Sequence, residues 1–235
     1  MNILITGSNR GIGLEFTKQY LLRNDSVIAT CRSPTTARKL QNLKKQYKNR
    51  LMIVEMDVSN FKSIQKAYEK ISGKINSINI LINNAGIISG NEETEYRMGT
   101  MHQEDFLHVF NVNSIAPVWI SERFLNLLVK GSNPKIINIT SRMGSITEKT
   151  DKSHYSYCMS KAALNMASKL LANDLESQKI GVWAIHPGWS KTDMGGYHAP
   201  LDPKKTVSSM IRLIDGKTIP ETGKFLNWDG KEIPW

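Results

Sequence analysis

Short apolar runs alternate with longer amphipathic segments along this chain of 235 residues, and this alternation limits the possible folds. The apolar runs cover residues 2–6, 26–30, 51–56, 78–83, 135–140, 181–186 and 224–227. The amphipathic segments cover residues 11–23, 35–49, 61–72, 104–130, 155–178 and 203–215. Strands that alternate with helices form βαβ units with parallel strands. The pattern therefore predicts an α/β fold with a doubly wound parallel seven-stranded sheet and helices on both faces.

A single domain over residues 1–235 is expected, because no internal repeat, low-complexity tract or flexible linker divides the chain. Hydrophobic residues make up 40% of the sequence, which is enough for a substantial core. Three segments are irregular, at residues 87–103, 142–154 and 187–202. Ligands of a doubly wound sheet bind beyond the carboxyl ends of its strands. We therefore expect these loops to form the binding site.

A glycine-rich loop follows the first apolar run and leads directly into a predicted helix. Its residues are Thr6, Gly7, Ser8, Asn9, Arg10, Gly11, Ile12 and Gly13. Glycine lets the backbone approach a pyrophosphate closely, and a helix N-terminus attracts phosphate. The spacing G-x-x-x-G-x-G differs from the generic fingerprint G-x-G-x-x-G. The strand–loop–helix context favours a dinucleotide site formed by residues 7–13, and an ordinary turn between strand and helix is the alternative.

The end of the second predicted strand carries Arg32 and no acidic residue. An NAD-selective site usually has Asp or Glu here, which binds the 2′-hydroxyl of the ribose. Arg32 suits a 2′-phosphate instead, with Arg10 and Ser33 as further donors. We therefore expect NADP(H) to be preferred over NAD(H), although a solvated turn residue is the alternative for Arg32.

Tyr157 and Lys161 are four residues apart in a predicted helix and share one face. A free tyrosine has a pKa near about 10, and a neighbouring ammonium group lowers it towards neutrality. By itself such a pair more often marks a surface contact. Tyr155 is the second candidate for a proton donor, but Met159 stands four residues after it.

The chain resembles the short-chain dehydrogenase/reductase family from end to end. The motifs that carry the resemblance are residues 6–13, Asp57-Val58, Asn83-Asn84-Ala85-Gly86, Asn111-Val112-Asn113, Ser141, Tyr157 with Lys161, and Pro187-Gly188 with Thr192. Further motifs at residues 142–146, 160–165, 186–196 and 229–235 are similar to those of the C-factor-like and sniffer-type carbonyl reductases. The family is known for a Rossmann fold and hydride transfer to or from a nicotinamide cofactor.

The resemblance implies a catalytic set of four residues, Asn113, Ser141, Tyr157 and Lys161. Tyr157 would be the general acid/base, and Lys161 would tune it and bind the nicotinamide ribose. Ser141 would hold the substrate oxygen. Thr140 is the alternative for this role, but side chains alternate along a strand, so its side chain would point to the opposite face of the sheet. Asn113 would hold a water that links Lys161 to solvent, with an ordinary helix-interior amide as the alternative.

The resemblance also implies further cofactor and substrate contacts. Additional cofactor-binding residues would be Asp57, Val58, Asn84, Ala85, Gly86, Pro187, Gly188 and Thr192. Substrate contacts would come from Met143, Tyr155, Trp189 and Met194, with Ile88 and Tyr197 nearby. This set is apolar with polar edges and suits a lipophilic aldehyde or ketone. The expected activity is NADPH-dependent reduction of a carbonyl group to an alcohol.

Several classes of protein are disfavoured by composition. The two cysteines and five histidines show no metal-ligand or disulfide spacing, so we expect no metal and a reducing, cytoplasmic location. The first residues do not resemble a signal peptide, and no apolar run is long enough for a membrane span.

The net charge is +10, and basic residues are densest at residues 38–50. A solvated helix face explains them, and no recognition motif favours a nucleic-acid partner. Nucleic-acid binding through residues 38–50 and a signalling role like that of C-factor-like proteins are the two alternatives to catalysis. Family members often pair through helices matching residues 104–130 and 155–178, which implies a homodimer or homotetramer.

Overall fold

Seven strands form the sheet in this computed structural model, which describes residues 1–88, 99, 101–150 and 154–235. The strands are β1 (Asn2–Ile5), β2 (Ser26–Cys31), β3 (Leu51–Glu55), β4 (Ile80–Asn83), β5 (Lys135–Ile139), β6 (Gly181–His186) and β7 (Lys224–Asn227). All neighbouring strands pair in parallel, in the order β3-β2-β1-β4-β5-β6-β7. The prediction of a doubly wound seven-stranded parallel sheet is confirmed.

The α-helices lie between the strands as the amphipathic pattern predicts. They are α1 (Gly11–Leu22), α2 (Arg38–Tyr47), α3 (Phe61–Ser72), α4 (Gln103–Phe110), α5 (Ala116–Val129), α6 (Tyr155–Asp174) and α7 (Pro203–Gly216). Single 3₁₀ turns cover Pro34–Thr36, Lys48–Arg50, Arg142–Gly144, Glu176–Gln178 and Ile219–Glu221. The expectation of one α-helix over residues 104–130 is wrong, because a π-helical turn at Asn111–Ile115 separates α4 from α5.

The hydrophobic core lies on both faces of the sheet, which explains why its strands are apolar without alternation. In β1, Ile3 and Ile5 face one cluster and Leu4 faces the other, and all three are fully buried. Helices α1, α2 and α7 cover the first cluster, and α3, α5 and α6 cover the second. The carboxyl ends of the strands remain available to loops.

The basic segment 38–50 contains two cations with structural contacts. Lys44 Nζ donates to the carbonyl oxygens of Lys48 and Leu51. Arg50 donates to the carbonyl oxygen of Leu21 at 3.0 Å and to Asn24 Oδ1 at 2.7 Å. These bonds hold the connection between α2 and β3. Two of the basic residues in this segment therefore have a structural role.

No described helix has both the length and the apolar character that crossing a membrane requires. The described residues also contain no group of three His, Cys, Asp or Glu side chains placed to hold a metal ion.

Candidate active site

A cleft of about 540 Å³ opens at the carboxyl edge of the sheet. The predicted site residues that line it are Gly7, Asn9, Arg10, Gly11, Ile12, Arg32, Asp57, Val58, Asn84, Ala85, Gly86, Tyr157, Lys161, Pro187, Thr192 and Met194. They come from loops that are distant in the sequence, and the parallel sheet brings these loops to one edge.

The glycine loop at one end of the cleft fits a pyrophosphate. Gly7 has φ +65°, and a Cβ on it would lie 2.9 Å from the Cα of Ala85. Gly11 has φ +53°, which also favours glycine. No described side chain caps the N-terminus of α1, and its first turn contains no acidic residue. This helix end therefore presents backbone N–H groups to an anion.

The loop after β4 is tied to the glycine loop by four hydrogen bonds. The amides of Asn84 and Ala85 both donate to Thr6 Oγ1 at 2.9 Å. Asn84 Nδ2 donates to the carbonyl oxygens of Thr6 and Gly7 at 2.8 and 3.1 Å. The two loops thus form one rigid wall, which preorganises this end of the cleft.

Two predicted cofactor residues of the glycine loop lie behind the cleft surface. The Ser8 hydroxyl donates to the Ile5 carbonyl and its amide donates to the Thr30 carbonyl, both at 2.9 Å. A Cβ on Gly13 would lie 2.4 Å from the Gly7 carbonyl oxygen. The structure gives Ser8 and Gly13 a role in the shape of the loop.

Arg32 lies at the carboxyl end of β2, exposed at the rim of the cleft. Arg10 lies on the same rim, where its guanidinium pairs with the Asp193 carboxylate at 3.1 Å. Both arginines are thus available near the place where the ribose of a dinucleotide lies in this fold. Ser33 also lines this end of the cleft.

Tyr157 and Lys161 lie at the other end of the cleft, one helical turn apart on α6. Lys161 Nζ lies 5.7 Å from the centre of the Tyr157 ring and donates to the Ile139 carbonyl oxygen at 3.0 Å. A Cβ on Gly86 would lie 3.5 Å from Lys161 Nζ. Glycine at position 86 therefore keeps space open beside the ammonium group.

Ser141 is the second residue after β5 and is 6% exposed. Its side chain forms a hydrogen bond with Tyr157 and accepts one from the Met143 amide at 3.2 Å. Thr140 also lines the cleft, but its hydroxyl turns to α6 and donates to Asn165 Oδ1 at 2.7 Å. Ser141 contacts the catalytic tyrosine candidate, although it is not among the residues that line the cleft.

Asn113 is fully buried in the π-helical turn between α4 and α5. Its side chain accepts a hydrogen bond from the Ile87 amide at 2.9 Å and donates to the Ile87 carbonyl at 2.8 Å. Its Nδ2 also donates to Ser160 Oγ at 3.0 Å. Asn113 therefore joins the loop after β4 to α6, and the local π geometry directs its amide between them.

Burial controls the protonation of Tyr157 and Lys161. It raises the pKa of Tyr157 to about 12, against a smaller lowering by the hydrogen bond with Ser141. It also lowers the pKa of Lys161 to about 8. The expectation that Lys161 lowers the tyrosine pKa is wrong for the chain alone, because removing the phenolate from water has the larger effect. Tyr157 is therefore protonated at neutral pH and can donate a proton.

The predicted substrate residues are only partly brought together. Met194 lines the cleft, whereas Met143, Tyr155 and Trp189 are not among its lining residues. Trp189 is 57% exposed and its indole N–H donates to the Gly195 carbonyl oxygen at 2.7 Å. This bond shapes the loop that carries Met194.

Several further predictions differ from the structure or cannot be compared with it. Gly188 lies off the cleft, and a Cβ on it would lie 2.8 Å from the Trp228 ring. Tyr197 is 88% exposed, and neither it nor Ile88 is among the residues that line the cleft. The predicted loops 87–103 and 142–154 include residues 89–98, 100 and 151–153, which lie outside the described residues.

Sequence reasoning missed several residues that line the cleft. They are Cys31, Thr36, Ala37, Met56, Ser59, Ile87, His108, Val112, Ile139 and Asp193. Most are neighbours in the chain of residues that were predicted. His108 had no such signal, because only the packing of α4 places it there.

Several known proteins are similar to this chain in sequence. The sequence model of the short chain dehydrogenase family matches residues 1–200. The C-signal of Myxococcus xanthus is 38% identical over 158 residues, which cover 67% of this chain and 93% of that protein. An uncharacterised oxidoreductase of Schizosaccharomyces pombe is 28% identical over 249 residues, and the match covers 98% of this chain and 96% of that protein.

Two solved structures are similar over the whole chain. The NADPH-bound carbonyl reductase from chicken fatty liver has a TM-score of 0.93 and 35% identity, covering 100% of this chain and 98% of that chain. The carbonyl reductase Sniffer of Drosophila melanogaster has a TM-score of 0.93 and 34% identity, with 100% and 99% coverage.

Proposed function

This chain belongs to the short chain dehydrogenase family of oxidoreductases, and from that premise we propose that it reduces an aldehyde or ketone to an alcohol with NADPH. The observation that carries the proposal is one cleft with two chemically distinct ends. A glycine loop and two arginines lie at one end, and the buried phenol of Tyr157 beside Lys161 lies at the other. This arrangement suits a dinucleotide whose nicotinamide meets a carbonyl next to a proton donor.

When bound, NADPH supplies the hydride that adds to the carbonyl carbon. Tyr157, which is protonated at neutral pH because burial raises its pKa, then donates its phenolic proton to the developing alkoxide. Ser141 hydrogen-bonds the same oxygen and stabilises its charge. Lys161 orients the cofactor ribose and faces the tyrosine ring. Asn113 holds the loop beside them, and a water bound to it would link Lys161 to solvent.

The preference for NADP(H) over NAD(H) rests on Arg32 and Arg10. Both line the cleft, and the residues directly after β2 include no acidic side chain. A 2′-phosphate would pair with these guanidinium groups. The chicken carbonyl reductase, which resembles this chain over its whole length, binds NADPH.

We also propose that the chain forms a homodimer through α5 and α6, or a homotetramer. Met166 and Leu170 on α6 are 62% and 60% exposed and share one face. Ile115, the last residue of the π-helical turn, and Trp119 in the first turn of α5 are 46% and 47% exposed. Sedimentation of the wild type and of Leu170→Lys tests this, and a wild-type monomer at all concentrations contradicts it.

The test of function measures NADPH oxidation with a panel of aldehydes and ketones. We expect turnover by the wild type and a loss on the order of 10²–10⁴-fold in Tyr157→Phe. Tyr155→Phe tests the second tyrosine and should retain most activity. Tyr68→Phe, in α3 against Phe124 and not among the residues that line the cleft, is the matched control.

The similarity to the C-signal favours a second candidate function, signalling without turnover. A wild-type protein that binds NADPH and turns over no carbonyl of the panel contradicts the reductase proposal and supports this alternative. Turnover that survives in Tyr157→Phe contradicts the assigned proton donor.

A further inference from the structure

The segment after β7 folds back onto that strand. The Gly230 amide donates to the Asn227 carbonyl oxygen at 2.9 Å, which closes the turn. The Asn227 amide then donates to the Lys231 carbonyl at 2.7 Å, and the Ile233 amide to the Phe225 carbonyl at 2.8 Å. We call residues 231–235 the return segment.

Two side chains anchor the end of the return segment. Ile233 is 2% exposed, and the Trp235 ring stacks on the Phe225 ring with 5.5 Å between their centres. The stacked ring and the buried isoleucine leave the main-chain oxygens of Pro234 and Trp235 in fixed positions. These oxygens face the loop that follows Ser141.

Four hydrogen bonds join that loop to the return segment. The Ser145 hydroxyl donates to the Pro234 oxygen at 2.6 Å and to the Trp235 main-chain oxygen at 3.4 Å. The Thr147 amide and hydroxyl both donate to the Trp235 main-chain oxygen, at 3.1 and 2.9 Å. Ser145 is 1% exposed and also accepts from the Glu148 amide at 3.1 Å. The loop is thus held by residues nearly ninety positions away in the chain.

The same loop begins at Ser141 and lies directly on Lys161. A Cβ on Gly144 would lie 2.7 Å from the carbonyl carbon of Lys161, so the two backbones are in contact. Asn165 Nδ2 donates to the Gly144 carbonyl oxygen at 3.2 Å. Helix α6 therefore holds the turn Arg142–Gly144 on one side, and the return segment holds Ser145 and Thr147 on the other.

We propose that the return segment positions Ser141 and Met143 for the reaction, through Ser145 and Thr147. These two are positioning residues, because their contacts are to the return segment and not to the cleft. An active-site loop without a second anchor would sample more conformations, and small displacements of a catalytic group reduce rates strongly. The inference rests on the proposed carbonyl reduction.

The first test compares Thr147→Val with Thr147→Ser. The valine keeps the size of the side chain and removes the hydroxyl bond to the Trp235 oxygen, whereas serine keeps that bond. We expect kcat/KM for a carbonyl to fall roughly 3- to 10-fold in Thr147→Val. Activity should return in Thr147→Ser, and the Kd for NADPH should not change in either variant.

Glu232→Gln is the matched control within the return segment. Glu232 pairs with Lys224 at 3.1 Å, and both side chains are substantially exposed. We expect its kcat/KM to equal that of the wild type. An equal loss in Glu232→Gln, or a parallel loss of NADPH affinity in Thr147→Val, indicates a general structural effect and overturns the proposal.

Hydrogen exchange gives a readout that is independent of turnover. Trp235→Ala removes the stacking on Phe225 and should speed amide exchange in residues 141–148, whereas Trp235→Phe should not. Unchanged exchange in Trp235→Ala overturns the positioning contact. If the wild type turns over no carbonyl, the reductase proposal is contradicted. The return segment then has no role in catalysis, even if Trp235→Ala speeds amide exchange in residues 141–148.

Discussion

The Arg10 guanidinium donates a hydrogen bond of 3.1 Å to the Asp193 carboxylate and so links the glycine loop to the loop after β6. Both side chains line the cleft, and they are 60% and 70% exposed. Such an exposed pair contributes only about 0–1 kcal/mol. A 2′-phosphate that binds Arg10 would have to compete with this carboxylate.

Asp193→Asn should therefore tighten NADPH binding by up to about 5-fold, because it removes a competitor worth at most about 1 kcal/mol. NADH has no 2′-phosphate, so its affinity should stay the same. Titration of cofactor fluorescence at low salt measures both constants. Weaker NADPH binding in Asp193→Asn would mean that the Arg10–Asp193 bridge holds the cofactor in place.

Arg32→Ala should weaken NADPH binding by roughly 10- to 100-fold, the range expected for loss of a charge-assisted hydrogen bond. NADH binding should change little. Arg38→Ala is the control, because Arg38 is an exposed cation at the start of α2 that does not line the cleft. Equal losses for NADPH and NADH would show that Arg32 does not select the 2′-phosphate.

Carbonyl reduction should slow as the pH rises above about 8. Burial lowers the pKa of Lys161 to about 8, so the ammonium is present below that pH and is lost above it. Tyr157, whose pKa is about 12, stays protonated throughout this range. Single-turnover rates at saturating NADPH measure the profile, whose apparent pKa belongs to the interacting pair. A constant rate up to about pH 10 would contradict a role for the Lys161 charge.

The folded chain should lose stability in mild acid through His186. Burial, with Arg142 and Lys161 nearby, lowers the pKa of His186 from 6.5 to about 4. The unfolded chain therefore binds the proton first, and stability falls as the pH drops from about 6.5 towards 4. Between about pH 7 and pH 5 the loss from this residue should be roughly 2 kcal/mol.

Urea unfolding of the wild type and of His186→Gln at these two pH values isolates this contribution, because other titrating groups are common to both proteins. The variant should lose less stability than the wild type. The same pH dependence in both proteins would place the acid sensitivity elsewhere.

The regular elements were predictable because their patterns are local. Helix α3 at Phe61–Ser72 and strand β6 at Gly181–His186 have the bounds that the hydrophobic period indicates. The glycine loop was predictable for the same reason, since a strand, three glycines and a helix follow one another directly. In contrast, the π-helical turn around Asn113 was not, because its polar contacts are with Ile87 and Ser160 on other elements.

The sequence by itself determined the alternating elements, the sheet and the identity of the paired Tyr157 and Lys161, since each depends on residues close together in the chain. Only the tertiary structure decided how that pair is protonated, because burial by distant segments, and not the spacing of four, sets both pKa values. It also decided that Arg10 meets Asp193 and that Trp235 meets Thr147. These contacts join residues far apart in the sequence, and no local period encodes them.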